Sequence, residues 1–139
     1  MLVKEKWTNK DFSKMSWHDS RIYQIKFPDE KYNLTLYIDY IFKWERGEDG
    51  LFKFWVSPCE LIFKNVFDLK LNILFEKAIG IDIEQIKREK IGLTPNAKMT
   101  DWKFLIETDR GNIELLATDF QMTVISQPKL LDTQDMSGK

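Results

Sequence analysis

The sequence predicts an all-β fold, mainly antiparallel, in which about eight strands form a single-domain β-sandwich or a barrel-like sheet. From Trp17 onward, apolar residues recur at every second position, which is the period of a strand with one buried face. Turn-forming Gly, Pro, Asn and Asp residues separate these segments, and helical spacing is scarce. Short strands without intervening helices are typical of a sandwich or a barrel, and the pattern leaves the choice between them open.

The length of 139 residues predicts one domain, because single domains most often contain roughly 100 to 150 residues. We therefore assign 1–139 to a single β domain. Residues 1–16 form an N-terminal extension with one short helix from Asn9 to Met15, since Thr8 or Asn9 is a suitable N-cap. Residues 129–139 lose the alternating pattern, and we expect a mobile tail there.

The first strands and the first hairpin follow directly from the alternation. Residues 17–27 carry apolar side chains at odd positions and end at Pro28. Residues 33–44 alternate through their whole length, with the apolar side chains on one face. The polar turn 45–50, which contains two glycines, joins them to a strand over 51–57 and predicts a hairpin.

Two shorter segments follow Pro58, which we expect to interrupt the strand. They span 59–65 and 69–75, with a turn or bulge between them. A third segment, 81–89, changes parity at Ile86 and predicts a bulge or a short helical turn just before that residue.

The C-terminal part contains the clearest hairpin signal. Alternating segments 102–108 and 113–118 are joined by the turn 109–112, with the sequence DRGN. The segment 120–126 either prolongs the second strand or starts a new one. Upstream of the hairpin, the polar stretch 92–101 is the longest loop we expect, and loops of this kind often carry function.

Composition excludes several classes of function. The 21 basic and 22 acidic residues leave a net charge of -1, so no positive field favours nucleic acid. No apolar run approaches the roughly 20 residues that span a bilayer, and we expect a soluble protein without membrane contact. The lone Cys59 and the charged N-terminus predict a cytoplasmic location.

The scarcity of His and Cys argues against catalysis. The chain has one of each and lacks phosphate-binding, dinucleotide-binding and nucleophile-elbow motifs. His18 and Asp19 would point to opposite faces of a strand, unless the strand begins later than residue 17. Cys59 lies in an apolar context, where a lone Cys is usually a small buried residue. We expect no enzyme, no catalytic residue, no metal and no cofactor.

Three carboxylates lie within predicted strands, where Asp is depleted. Asp39 is in the middle of its strand, Asp19 has the parity of the apolar residues, and Asp82 lies in the segment with the parity change. If they converge, they could hold a divalent metal or a small ligand inside a β-barrel, which is the alternative function. The competing interpretation is that each pairs with a cation such as Arg21 or Arg88.

Phe, Trp and Tyr make up 14% of the chain, and most of them fit a core. Four residues on the core parity are Phe52, Phe54, Phe63 and Phe75. Tyr37 and Trp55 have the opposite parity. If both face solvent, they form an aromatic patch beside the acidic turn 45–49, which is the usual mark of a protein interface.

The segments that carry a resemblance are WHDS, LYIDYIFKW, FWVSPCELIFKNV, IDIEQIKRE and WKFLIETDRGNIELLATDF. With them, the chain from Trp17 to Pro128 resembles small bacterial domains of mostly β content that are similar to immunity proteins encoded beside polymorphic toxins. The resemblance implies a non-enzymatic protein that binds another protein, with a homo-oligomer as the other arrangement we consider. The residues predicted to contribute to binding are Trp17, Asp19, Tyr37, Asp39, Trp44 and Trp55.

Overall fold

A computed structural model of the chain describes residues 1–76 and 80–136, and its strands form one open antiparallel sheet. In chain order the strands are Lys6–Thr8 (β1), Ser20–Lys26 (β2), Leu34–Arg46 (β3), Phe52–Lys64 (β4), Phe67–Ile73 (β5), Ile81–Leu93 (β6), Thr100–Thr108 (β7), Gly111–Ala117 (β8), Asp119–Val124 (β9) and Lys129–Leu131 (β10). Their order across the sheet is β1-β9-β4-β3-β2-β6-β7-β8-β5, and β10 lies beside β4.

The all-β, antiparallel prediction is confirmed, whereas the sandwich or barrel is not. All the strands in the described ranges belong to one sheet, with β1 and β5 at its two ends. The described ranges contain ten strands, where the sequence predicts about eight. Two of the ten, β1 and β10, have three residues each and are too short for an alternating pattern to reveal them. The short helix predicted from Asn9 to Met15 is not confirmed as such. A 3₁₀ segment spans Asn9–Lys14, and the Thr8 N–H donates to the Asp11 carboxylate at 2.8 Å at its start.

The sheet bends, so that strands far apart in its order touch across the inner face. Phe63 of β4 and Phe104 of β7 have three strands between them, yet their ring centroids lie 4.9 Å apart. Phe12 of the 3₁₀ helix meets Phe104 at 6.1 Å and Phe120 of β9 at 5.4 Å. The main core therefore lies on the concave side of one sheet, and aromatic pairs of this kind add about 0.5–1.5 kcal/mol each beyond area burial.

Arg88 fastens the 3₁₀ helix to the sheet. Its guanidinium lies 4.3 Å from the Phe12 ring and 4.1 Å from the Trp102 ring, and it donates to the Asn9 side chain at 2.8 Å. Arg88 thus stacks between two aromatic rings and does not form the ion pair with Asp19, Asp39 or Asp82 that the sequence suggests.

Pro58 does not interrupt a strand, contrary to the prediction, because β4 runs through it opposite Asp39. The neighbour of β4 on its other edge changes at this point. Strand β10 pairs with residues 54–56 and β9 pairs with residues 59–64, so Pro58 lies between the two registers. A residue without an N–H is tolerated at such a break in the ladder.

Several predicted boundaries move, while both hairpins are confirmed. The strand predicted over 17–27 is β2 and begins only at Ser20, and the loop expected over 92–101 shortens to 94–99. Asp68, with φ 53°, is a bulge inside β5. The segment after the second hairpin is a separate strand, β9, because it pairs with β4. The bulge predicted before Ile86 is confirmed by a register shift there.

A bulge between Ile41 and Lys43 reverses the alternation of β3. Before it, Tyr40 faces the main core, and Phe42 still packs against that core. After it, Trp44 pairs with Phe54 on the outer face. The prediction that 33–44 keep their apolar side chains on one face is therefore wrong at Trp44, since one inserted residue moves every later side chain to the other face.

Replacing Phe104 with Ala tests the importance of the contact across the bend. We expect the free energy of unfolding to fall by about 3–5 kcal/mol, because the ring is fully buried and its loss leaves a cavity. Urea denaturation measures the change. Phe67→Ala in β5, where the ring is 48% exposed, is the matched control and should cost less than about 1 kcal/mol. Equal losses would contradict this account of the core.

Candidate functional site

The β3–β4 hairpin extends beyond the rest of the sheet as a two-stranded arm, which we define as residues 42–54. Residues 43–46 pair with 52–55 of β4. On its other edge β3 pairs with β2 only through residues 35–39, and β10 reaches β4 only at 54–56. Within the described ranges, the outer half of the arm is therefore bordered by no third strand, and both of its faces meet solvent.

The outer face of the arm carries a cluster of aromatic rings. The Trp44 ring lies 4.9 Å from Phe54 and 6.1 Å from Phe52, both edge-to-face. The Arg46 guanidinium lies 5.0 Å above Phe52. Trp44 is 44% exposed and Phe52 45%, and Leu51 in the adjoining turn is 67% exposed. The rings are thus held by mutual contact and still present a large apolar surface.

Phe52 is a surface residue that the sequence does not reveal. Because it has the same strand parity as Phe54, the alternation assigns both to the core. Phe54 is buried, whereas Phe52 lies one pair further out, opposite Arg46 and beyond the cover of β10. Phe75 is likewise exposed, since β5 ends at Ile73, before the predicted strand end. Phe63 is the predicted core Phe that lies in the main core.

The predicted patch of Tyr37 and Trp55 does not form. Trp55 has the parity of Cys59, whose side chain is in the main core, whereas Tyr37 lies opposite Glu60 on the outer face of β3. Both side chains are half-buried. Trp55 instead donates to Glu45 on the inner side of the arm, and this hydrogen bond, helped by Lys43, lowers the pKa of the Glu45 carboxyl.

The strand carboxylates Asp39 and Asp82 flank Arg21. Arg21 of β2 is paired with Asp39 of β3 on one side and with Asp82 of β6 on the other. Its Nε donates to the Asp82 Oδ1 at 3.2 Å, so the interpretation that a cation neutralises the carboxylate applies to Asp82. In residues 1–76 and 80–136, no group of three His, Cys, Asp or Glu side chains is placed to hold a metal ion.

Asp39 is a buried carboxylate, 1% exposed, on the outer face of the sheet. A bulge between Ile22 and Gln24 places the Tyr23 hydroxyl beside it, and this hydroxyl donates to the Asp39 Oδ2. The Met136 N–H donates to the same oxygen at 2.6 Å. Burial raises the pKa of Asp39 despite these two donors.

Asp19 and His18 come together because β2 begins only at Ser20. Asp19 has a φ of 66°, and this turn brings its Oδ2 to 3.5 Å from the His18 Nε2. The condition under which the two could converge is thus met. The Asp19 carboxylate also accepts from the Gln134 side chain at 2.6 Å, so it belongs to the surface that the C-terminal segment covers.

Two other candidate groups are interior. Trp17 is 4% exposed and packs edge-to-face on Tyr40 at 5.4 Å, so it is a core residue in place of the predicted contact residue. Cys59 is 1% exposed, and burial raises the pKa of its thiol to about 12. A thiol in this environment stays protonated near neutral pH and is out of reach of a substrate.

The segment 129–136, which we name the strap, covers part of the outer face. Leu131 and Met136 pack on a second, smaller core of Ile41, Phe54 and Val56. The predicted mobile tail, 129–139, thus has its first eight residues placed against the sheet, and its mobility stays a prediction; residues 137–139 lie outside the described residues. The sequence pattern does not reveal this contact, because only two residues of the strap pack on the small core.

Comparisons of the chain with protein-family models, with curated proteins and with solved structures find no match. No helix within residues 1–76 and 80–136 is both long and apolar enough to cross a membrane.

The raised pKa of Asp39 predicts how stability depends on pH. Because the folded pKa lies above the unfolded value of about 3.9, the folded state binds more protons between the two values. This contribution to stability is present at low pH and is lost as pH rises through the folded pKa. Asp39→Asn should remove it, so the free energy of unfolding of the wild type, relative to the variant, should fall as pH rises.

Urea denaturation of both chains at several pH values between 4 and 7 measures this difference. A wild-type stability that rises with pH relative to Asp39→Asn would contradict the assignment. Asp82→Asn, whose carboxyl pKa burial also raises while Arg21 opposes the shift, is the matched comparison.

Proposed function

We propose that this chain is a non-enzymatic protein-binding module whose contact surface is the outer face of the arm. The observation that supports the proposal is the ordered, exposed ring cluster of Trp44 and Phe52 on a hairpin that extends beyond the sheet. The arm contributes little to the main core, since beyond Phe42 its side chains lie outside that core. Its aromatic content is therefore available for a partner.

The energetics favour a protein as the partner. Aromatic side chains can each bury about 150–250 Å² of surface, and they dominate interface energetics. Trp and Arg, both present on this face, are enriched among residues whose truncation costs the most binding energy. Two rings that already hold each other lose little side-chain entropy on binding, which favours affinity.

Charged residues rim the ring cluster. Glu48 and Asp49 are exposed in the turn at the tip of the arm, and Asp132 lies near Lys53, with 3.9 Å between the Lys53 Nζ and the Asp132 carboxylate. An apolar centre with a charged rim is the usual anatomy of a protein interface. Three carboxylates and two cations, Arg46 and Lys53, border the rings, and the acidic excess lies in the turn at Glu48 and Asp49. We therefore expect a partner with an apolar depression and basic residues where it meets that turn.

The specific form of the proposal is an immunity protein that neutralises a toxin by binding it. The sequence resemblance supports this form, and neutralisation by steric block needs no catalytic group, metal or cofactor. A cytoplasmic location and a bacterial source belong to the same proposal. The arm then contributes apolar anchors, and the acidic turn contributes orientation of a basic toxin surface.

The double substitution Trp44→Ser and Phe52→Ser should abolish binding while leaving the main core intact. We expect the immobilised wild-type chain to retain one protein from the native source at physiological salt, and the double variant to lose it. Calorimetry with that protein, once purified, should show an affinity loss of about 100-fold or more, as for truncated hot spots. Phe67→Ser, an exposed ring on β5, is the matched control and should bind as the wild type does.

Co-expression tests the toxin form of the proposal. The wild-type chain should restore growth to bacteria that express the polypeptide encoded by the adjacent gene, and the double variant should not. Full activity of the double variant in both assays would overturn the arm as the contact surface. Growth arrest that the wild-type chain does not relieve would overturn the toxin form alone.

A further inference from the structure

The strap occupies a site of the kind that takes an extended peptide. Its residues 129–131 add a strand to β4, paired antiparallel with residues 54–56. Leu131 and Met136 pack against the small apolar cluster of Ile41, Phe54 and Val56. Strand addition at a sheet edge, with side chains in adjoining pockets, is a general mode of peptide recognition.

The strap buries little apolar surface and is held largely by polar contacts at the sheet surface. Gln134 and Met136 each donate one hydrogen bond to the sheet, and the Asp135 carboxylate lies 3.8 Å from the Arg21 Nη1. Only three of its residues pair with β4, Lys129 is exposed, and Leu130 is 40% exposed. The apolar cluster beneath it, in contrast, lies on β3 and β4, which pair with each other from Leu34 to Arg46 of β3. Segments with little buried apolar surface open at a low free-energy cost, so the site can outlast the departure of the strap.

The Asp19 carboxylate beneath the strap favours a cation at position 134 of a ligand. The carboxylate of Asp19 accepts from the neutral amide of Gln134, and that of Asp39 accepts from the backbone N–H of Met136. The Asp135 carboxylate of the strap lies 3.8 Å from the Arg21 Nη1, so an acidic residue at position 135 matches the cation there. A guanidinium or ammonium in place of the Gln134 amide would form a charge-assisted pair with Asp19, which is the stronger interaction.

We propose that the strap is a displaceable internal strand, and that its site on β4 accepts an extended segment of a partner protein with an apolar residue at the Leu131 position and Arg or Lys at the Gln134 position. This inference rests on the proposed protein-binding function and adds the chemistry of the partner. The site adjoins the arm through Phe54, which contacts both Trp44 and the strap core. One partner can therefore cover both.

The test uses labelled nine-residue peptides and the full chain carrying Leu131→Ser and Met136→Ser, which weaken the strap. One peptide has the sequence of residues 128–136, a second carries Gln134→Arg, and a third is scrambled. Fluorescence anisotropy should show that the first binds the variant, that the second binds about tenfold more tightly, and that the scrambled peptide does not bind. The wild-type chain should bind both more weakly, since its own strap competes.

A folded double variant that binds none of the peptides would overturn the proposal, and equal affinity of the first two peptides would overturn the basic ligand. If the double variant does not fold, the wild-type chain is titrated with the Gln134→Arg peptide and followed by amide NMR spectra. Displacement of the strap must shift the amide resonances of Phe54 and Val56, and unchanged resonances would overturn the proposal. A dimer of the wild-type chain in light scattering that the peptides dissociate would assign the site to a second copy. If the peptides do not bind but the wild-type chain still captures a protein through the arm, this inference is overturned and the proposed function is not.

Discussion

The contact between Phe63 and Phe104 across the concave face holds the two halves of the sheet together. The strands form one hydrogen-bonded sheet, so backbone pairing alone leaves its curvature unspecified. Aromatic rings from β4, β7 and β9, with Phe12 of the 3₁₀ helix between them, specify that curvature. Because the interior of a protein is close-packed, the shapes of these rings determine how far the sheet bends.

The bend and the β3 bulge together place the core aromatic residues on the inner face of the sheet and the exposed ones on its outer face. The inner face takes most of the apolar residues, and the bulge after Ile41 turns Trp44 to the other side, where Phe52 and Phe54 meet it. The same outer face carries Asp39 and the strap. Fold-determining and exposed aromatic residues therefore occur in the same two strands, and a single inserted residue divides them.

Sequence alternation predicts the strand content and both hairpins, because a half-buried strand imposes a period of two. It does not predict the neighbours in the sheet, which depend on long-range pairing such as β4 with β9. It assigns Trp44 and Phe52 to the buried face, because an alternating pattern reveals neither a bulge nor the point where neighbouring strands end. Trp17 is predicted as a contact residue but is buried, since the sequence does not distinguish a buried apolar side chain in a loop from an exposed one.

Hydrogen exchange, followed amide by amide, tests most directly the claim that a stable inner core carries a separable outer layer. We expect amides of the strap and of the arm tip to exchange through local opening, with protection at least about tenfold below that of residues 35–39, which pair with strands on both sides. Strap amides as strongly protected as residues 35–39 would show that the strap is part of the core and would contradict the account.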